Sequence, residues 1–133
     1  DVSVVSEECP MWVPLIENGE HLGEGADYFV KKYIDELLAK DDRIDSIILG
    51  CTHYPLLAEK IRKYVPSGIE IMCQGSYVAL SLKDYLARHP EMDAKCTRGG
   101  TVRYFTTESG EKFAASASLF VHEPIEAEHM PLD

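Results

Sequence analysis

The segment Gly50-Cys51-Thr52-His53 lies between an apolar run and a proline that can begin a helix. A thiol and an imidazole two residues apart can share a proton, because a protonated imidazole favours the thiolate form of a cysteine. Such a thiolate can remove a proton from a bound molecule and later return it. The spacing therefore predicts a candidate proton-transfer site made of Cys51 and His53.

Two other interpretations of this segment stay open. A lone cysteine after a strand is often a small buried hydrophobe without a chemical role. Cys51 and His53 could also bind a metal ion, but no other cysteine or histidine pair in the sequence has ligand spacing. We therefore expect no metal at this position.

The neighbouring elements should place the segment at one edge of a parallel sheet. Ser46–Leu49 is short, rich in β-branched residues and apolar on both faces, which is typical of a strand buried on both sides. Pro55 suits the first position of a helix over residues 55–65. Ligands of open α/β sheets bind at the carboxyl ends of strands, and helix starts attract anions such as carboxylates. We therefore expect residues 50–54 to form an anion-binding loop.

The rest of the chain alternates between helical and extended patterns. Apolar residues at helical spacing predict three further helices, at residues 26–40, 77–89 and 108–120. Extended apolar patterns predict four further strands, at residues 3–5, 69–72, 101–106 and 125–128. Ser76 is expected to cap the second of these helices. The alternation indicates an α/β fold with a mainly parallel sheet and flanking helices.

Two segments read as loops. Residues 9–19 contain two prolines and should form a loop with one apolar turn, and residues 91–100 should form a polar loop. The helix at residues 77–89 should have one apolar face. Its members are Val78, Leu82, Tyr85 and Leu86.

Composition and charge exclude several classes of protein. The 133 residues are 45% hydrophobic and 27% charged, as in an ordinary globular domain or part of a larger one. The formal net charge of −10 and the lack of a basic stripe argue against nucleic acid as a partner. The apolar runs are too short to span a membrane, so we expect no membrane partner.

The cysteines also limit the interpretation. Cys9, Cys51, Cys73 and Cys96 are widely spaced and include no C-x-x-C pair, so a redox motif or a disulfide scaffold is not expected. Free thiols favour a cytoplasmic protein. The sequence begins at Asp1 rather than at a methionine, and we expect it to be a piece of a longer protein.

Three stretches of the sequence resemble glutamate racemases. The stretch Gly50–Leu57, GCTHYPLL, follows the apolar run Ile47–Leu49 as the family's signature does. Cys9–Glu17 is similar to the family's segment that contains CP and VPL before an acidic residue. Arg103–Thr107 resembles the family's aromatic-Phe-Thr-Thr strand end. The resemblance covers essentially the whole chain.

The resemblance implies an isomerase that interconverts L- and D-glutamate without a cofactor and supplies D-glutamate for peptidoglycan. Two cysteines on opposite faces of the substrate transfer the proton in this family. Cys51 matches the second of them, on the L-glutamate side. His53 matches a histidine that assists this thiol at the substrate, Thr52 matches a substrate-binding residue, and Glu17 matches the acidic residue that supports the histidine.

Simpler roles are available for several of these residues. Thr52 could merely satisfy the helix end, and Glu17 could be a solvated carboxylate. Cys9 is expected to serve in packing, and Cys96 needs no role in its polar loop. Cys73 stands where relatives often carry Asp or Asn, which argues against a polar function there.

The resemblance further implies that the chain is the C-terminal half of such a protein. The family fold has two α/β lobes with the substrate between them. Residues 1–72 would belong to the second lobe, and residues 73–133 would return to complete the first. The first lobe's Asp-Ser pair and catalytic cysteine are not in this sequence. We therefore expect this chain alone to be inactive. Its expected partners are the missing N-terminal half of the same protein and, in a homo-oligomer, further copies.

Two alternatives to glutamate racemase stay open at this point. An aspartate racemase or another superfamily member would use the same thiol chemistry, although aspartate racemases generally resemble a GCT-E pattern where this chain has His53. A binding module without chemistry would equally lack the first lobe's motifs.

Overall fold

Two compact units make up the chain, Asp1–Arg88 and His89–Asp133. They are seen in a computed structural model that describes residues 1–121 and 123–132. This division concerns the chain as it stands. The assignment of residues 1–72 and 73–133 to two lobes concerns the complete protein and stays a prediction.

One pair of parallel strands lies in each unit. The strands are β1 (Ser46–Leu49) and β2 (Glu70–Cys73) in the first unit, and β3 (Tyr104–Thr106) and β4 (Ala127–His129) in the second. In the first pair Ile47 lies opposite Ile71 and Leu49 lies opposite Cys73. Parallel pairing with helical connections gives the α/β fold that the sequence predicts.

Six α-helices and two 3-10 turns are found in the described residues. The helices are α1 (Trp12–Glu17), α2 (Glu24–Leu38), α3 (Ala58–Tyr64), α4 (Gln74–Arg88), α5 (Pro90–Asp93) and α6 (Gly110–Val121). The 3-10 turns are Glu20–Leu22 and Tyr54–Leu57. No helix in this described part of the chain has both the length and the apolar character needed to cross a membrane.

The core of the first unit brings together apolar side chains of α1, α2, α3 and β1. Its buried members are Trp12, Ile16, Ala26, Val30, Tyr33, Ile34, Ile47, Leu49, Leu57, Ile61 and Val65. Burial of a large apolar side chain contributes about 1.5–3 kcal/mol each. This core fixes both ends of the loop that follows β1, because Leu49 precedes that loop and Leu57 follows it.

Strand β1 is buried on one face only, so the prediction of burial on both faces is wrong. Ile47 and Leu49 point into the core, whereas Ile48 is 66% exposed. Side chains alternate between the two faces of a strand, and helix packing covers only the face of Ile47 and Leu49.

Helix α4 begins earlier than predicted, and its apolar face is exposed. It begins at Gln74, so Ser76 lies inside the helix, and its hydroxyl donates to the Cys73 carbonyl at 3.3 Å. None of its residues is buried, and Val78 and Leu82 are 62% and 54% exposed. The apolar face that the sequence predicts is present on α4 but is not packed in this chain.

Helix α1 occupies part of the segment that reads as a loop. Apolar contacts of Trp12 and Ile16 bury one side of this short helix. Gly19 ends it with a φ of 74°, a left-handed conformation that glycine adopts without steric cost. The helix therefore places Glu17 at its last position. Residues 3–5, by contrast, form no strand.

A polar cluster joins α2 to α3 on the surface of the first unit. The Lys60 ammonium donates to the Asp27 carboxylate and to the Gly23 carbonyl, the latter at 3.1 Å. The Tyr64 hydroxyl donates to the other Asp27 oxygen at 3.1 Å. The hydrogen bond from Lys60 is the main cause of a lowered pKa of Asp27. These contacts hold α3 against α2 in one register.

The second unit combines β3, β4 and α6. Its strands are shorter or shifted relative to the predicted ranges 101–106 and 125–128, and α5 forms at the start of the predicted loop at residues 91–100. Arg103 makes a bidentate ion pair with Glu128 at 2.7 and 2.8 Å. Gly110 begins α6 where a Cβ atom would collide with the carbonyl of Ala127, so α6 starts close to β4.

Candidate thiol site

A tight turn follows β1 and carries the candidate residues. The Tyr54 amide donates to the Cys51 carbonyl at 3.3 Å, and the Leu56 amide donates to the His53 carbonyl at 3.1 Å. Pro55 is the second residue of the 3-10 turn, and the α-helical part begins only at Ala58. The predicted helix start at Pro55 is therefore wrong. The Tyr54 amide is used within the turn and is not available to an anion.

The side chains of this turn converge on the imidazole of His53. The Cys51 Sγ atom lies 3.8 Å from His53 Nδ1, a distance at which sulfur can share a hydrogen with nitrogen. The Thr52 hydroxyl oxygen is 3.5 Å from the same nitrogen. Cys51 and His53 are half-buried and Thr52 is exposed. Nδ1 thus has a thiol and a hydroxyl as neighbours.

The other ring nitrogen of His53 faces a carboxylate from α1. His53 Nε2 lies 3.3 Å from Glu17 Oε1, with 25% of the His53 side chain and 60% of the Glu17 side chain exposed. A carboxylate at Nε2 favours a proton on that nitrogen, and in this tautomer Nδ1 is the acceptor for the thiol proton. In this order Cys51 can act as a nucleophile or base, His53 as the acceptor of its proton, and Glu17 as the group that orients the imidazole.

The structure thus brings together all four residues that the sequence singles out. Glu17 is far from the other three in sequence and reaches them because α1 ends beside the turn. Cys51 lies outside the buried core, beside a polar partner. Within the described residues, no three His, Cys, Asp or Glu side chains are grouped as metal ligands.

Tyr54 and Cys9 are two further polar residues next to this array. Burial raises the pKa of Tyr54 to about 12, with Cys9 and Cys51 nearby as further causes. Burial also raises the pKa of Cys9 to about 11, followed by the charge of Glu7. Both groups therefore stay protonated at neutral pH. The packing role expected of Cys9 stays a prediction. The sequence signal for Tyr54 is its place inside the GCTHYP stretch.

The Glu17 contact predicts a modest effect of the substitution Glu17→Gln in the full-length protein. The amide oxygen still accepts a hydrogen bond from His53 Nε2, but the negative charge beside the imidazole is gone. For an exposed pair worth roughly 0.2–1 kcal/mol, we expect kcat/KM to fall by up to about fivefold. Steady-state kinetics of the variant and the wild type measure this.

Glu24→Gln is the matched control, because Glu24 is an exposed carboxylate in the first turn of α2. It should leave kcat/KM unchanged. Equal kcat/KM values for the Glu17 and Glu24 variants would contradict a role of Glu17 in the site.

The fold and the array define a class of protein: an α/β chain that sets a thiol, an imidazole and a carboxylate at the carboxyl end of a parallel strand. No family model matches the chain. Several individual proteins, however, are similar to it in sequence. A glutamate racemase of Ruegeria sp. (strain TM1040) is 36% identical over 124 residues, which are 93% of this chain and 44% of that protein. A glutamate racemase of Paracoccus denitrificans is 35% identical over 127 residues, which are 96% of this chain and 45% of that protein.

Solved structures agree with these sequence matches. Glutamate racemase isoform RacE1 from Bacillus anthracis superposes with a TM-score of 0.84 at 30% identity, over 98% of this chain and 48% of that one. Glutamate racemase from Francisella tularensis in complex with D-glutamate gives 0.82 at 25% identity, over 99% and 48%. The chain is therefore similar to glutamate racemases along nearly its whole length. It spans a little under half the length of these relatives, between 44% and 48%.

Proposed function

We propose that the complete protein to which this chain belongs is a glutamate racemase, in which Cys51 transfers the α-proton on the L-glutamate side. The observation that carries the proposal is the array of Cys51 Sγ, His53 and Glu17, with contacts of 3.8 and 3.3 Å at the end of β1. The matches to glutamate racemases along 93% or more of the chain support it.

The array can move a proton in both directions. His53 takes the thiol proton through Nδ1, and the Glu17 carboxylate stabilises the resulting imidazolium. The Cys51 thiolate then removes the α-hydrogen of L-glutamate as a proton, and the C–H electron pair stays on the substrate, delocalised into its carboxylate. A second acid, from outside this chain, delivers a proton to the opposite face. In the reverse direction the Cys51 thiol donates a proton and the second group removes one, so two acid–base groups account for the proton transfers without a cofactor.

The proposed substrate is free glutamate. Thr52 places an exposed hydroxyl directly beside Cys51, where it can donate to a substrate carboxylate. The Francisella tularensis relative was solved with D-glutamate. Aspartate racemase is the less favoured alternative, since the most similar relatives named above are all glutamate racemases.

The wider setting follows from this activity. We infer that the product D-glutamate supplies peptidoglycan synthesis and that the enzyme works in the cytoplasm, where thiols remain reduced. The chain by itself should be inactive, because racemisation by two bases needs an acid on each face of the substrate. Its partners would be the N-terminal half of the same protein and, in a homo-oligomer, further copies.

The test uses the full-length protein in D2O without added cofactor. We expect L-glutamate and D-glutamate each to incorporate deuterium at the α-carbon as they interconvert, as measured by proton NMR and polarimetry. Aspartate, offered at the same concentration, should turn over at least about 100-fold more slowly, because a site built for one set of polar contacts rejects a shorter analogue. Turnover of aspartate without turnover of glutamate would reverse the assignment, and turnover of neither would favour a binding module.

A further inference from the structure

A buried aromatic contact joins α1 to the turn that carries Cys51. Trp12, the first residue of α1, is only 2% exposed. Its ring meets the ring of Tyr54 edge-on, with centroids 4.7 Å apart and an interplanar angle of 77°. Tyr54 follows His53 directly, and its amide donates to the Cys51 carbonyl. A shift of the Tyr54 ring therefore moves the backbone that holds both site residues.

Helix α2 fixes Trp12 from the other side. The Trp12 Nε1–H donates to the Phe29 carbonyl at 3.3 Å. The Trp12 ring also lies edge-on to Tyr33, with centroids 6.1 Å apart and an interplanar angle of 64°. A directional hydrogen bond and two edge-to-face contacts leave the indole one well-defined position. The ring of Tyr54 is thus packed against a rigid neighbour.

The two ends of α1 contact two neighbouring residues of the same turn. Trp12 at the start packs on Tyr54, and Glu17 at the end contacts His53. We propose that Trp12 is a positioning residue of the racemase site, which acts through Tyr54 to hold Cys51 and His53 in reach of each other and of Glu17. This inference rests on the proposed function and adds a residue that touches neither substrate nor reacting atoms.

The substitution Trp12→Leu in the full-length protein tests the proposal. Leucine keeps the site apolar but removes the ring that orients Tyr54. Since a misplacement of about 1 Å can cost on the order of 100-fold in rate, we expect kcat for glutamate to fall by about 10- to 100-fold. The KM should change by less than about threefold, because the groups that bind the substrate are retained. Trp12→Phe restores an edge-on ring and should recover most of the lost kcat.

Alkylation of Cys51 gives a readout that does not depend on turnover. Iodoacetamide reacts with the thiolate, so its rate at Cys51 as a function of pH, followed by peptide mass spectrometry, reports the contact with His53. In Trp12→Leu this reaction should slow at neutral pH, because the imidazole is then out of reach of the thiol. An unchanged alkylation profile in Trp12→Leu would overturn the proposal.

Two further variants separate positioning from loss of stability. Ile34→Ala removes a buried side chain of α2, which is 2% exposed, and should lower stability while leaving kcat and the Cys51 alkylation profile as in wild type. Tyr54→Leu removes the other ring of the contact and should reproduce the effect of Trp12→Leu. The double variant Trp12→Leu/Tyr54→Leu should be no slower than either single variant, because both act through one contact.

These experiments distinguish a failure of the positioning role of Trp12 from a failure of the proposed racemase function. If the wild-type protein turns over no glutamate, the proposed function is wrong, and the alkylation profiles of Cys51 still decide whether Trp12 positions it. If Trp12→Leu does not fold, the kcat and the alkylation profile of Tyr54→Leu are compared with those of Ile34→Ala. A loss in Tyr54→Leu alone supports the positioning role. Additive effects in the double variant, or equal effects of Ile34→Ala and Tyr54→Leu, would contradict the positioning role.

Discussion

Replacing Cys51 with alanine in the full-length protein should lower the rate of racemisation by about 10²- to 10⁴-fold, the contribution typical of one acid–base group. The array of Cys51 and His53, with 3.8 Å between Sγ and Nδ1, is the basis for this expectation. Without the thiol nothing removes the proton of L-glutamate or returns one to that face. Polarimetry from each enantiomer measures the loss.

The same variant should retain one half-reaction. The second acid, outside this chain, still faces D-glutamate, so the α-proton of D-glutamate should continue to exchange with D2O while no L-glutamate forms. The α-proton of L-glutamate should not exchange. Cys96→Ala is the matched control, since Cys96 is an exposed thiol in the second unit and should have wild-type activity. Equal loss of exchange for both enantiomers would contradict the assignment of Cys51 to one face.

The second large effect is expected on stability, from Leu57→Ala. Leu57 is 0% exposed and lies directly after the turn that carries the site. Truncation of a buried leucine removes apolar contacts and leaves a cavity, so we expect a loss of about 2–5 kcal/mol in the free energy of unfolding. Urea denaturation of the full-length protein, followed by circular dichroism, measures the loss.

Leu22→Ala is the control for this measurement, because Leu22 is 77% exposed. Its effect should stay within about 0.5 kcal/mol. A loss below about 1 kcal/mol for Leu57→Ala would mean that the end of the turn is not fixed by the core. The position of Cys51 and His53 would then need another explanation.

Local patterns predicted most of the helices and strands but not the ends of all of them. β1 was predicted with its observed bounds because its β-branched residues are followed by glycine, a clear end signal. α1 was missed because it has only six residues, too few for a periodic pattern, and owes its stability to tertiary contacts of Trp12 and Ile16. The start at Pro55 was wrong because proline also suits a 3-10 turn, and sequence alone does not separate the two.

Burial was predicted less well than secondary structure. Apolar residues on α4 and at Ile48 indicate faces suited to packing, but a sequence pattern does not say whether a partner surface is present in the same chain. The site was predicted through its resemblance to a family, since nothing local to Glu17 indicates that it meets His53. The Trp12–Tyr54 contact could not be predicted at all, because it depends on how α1 lies against the turn.

The half-buried position of Cys9 bears on the design of covalent inhibitors. With its pKa raised to about 11, this sulfur is ionised in only about one molecule in ten thousand at pH 7. Electrophilic drug fragments react with ionised sulfur, so their reaction with Cys9 should be slow. A warhead aimed at Cys51 in the turn after β1 should therefore lose little reagent to Cys9.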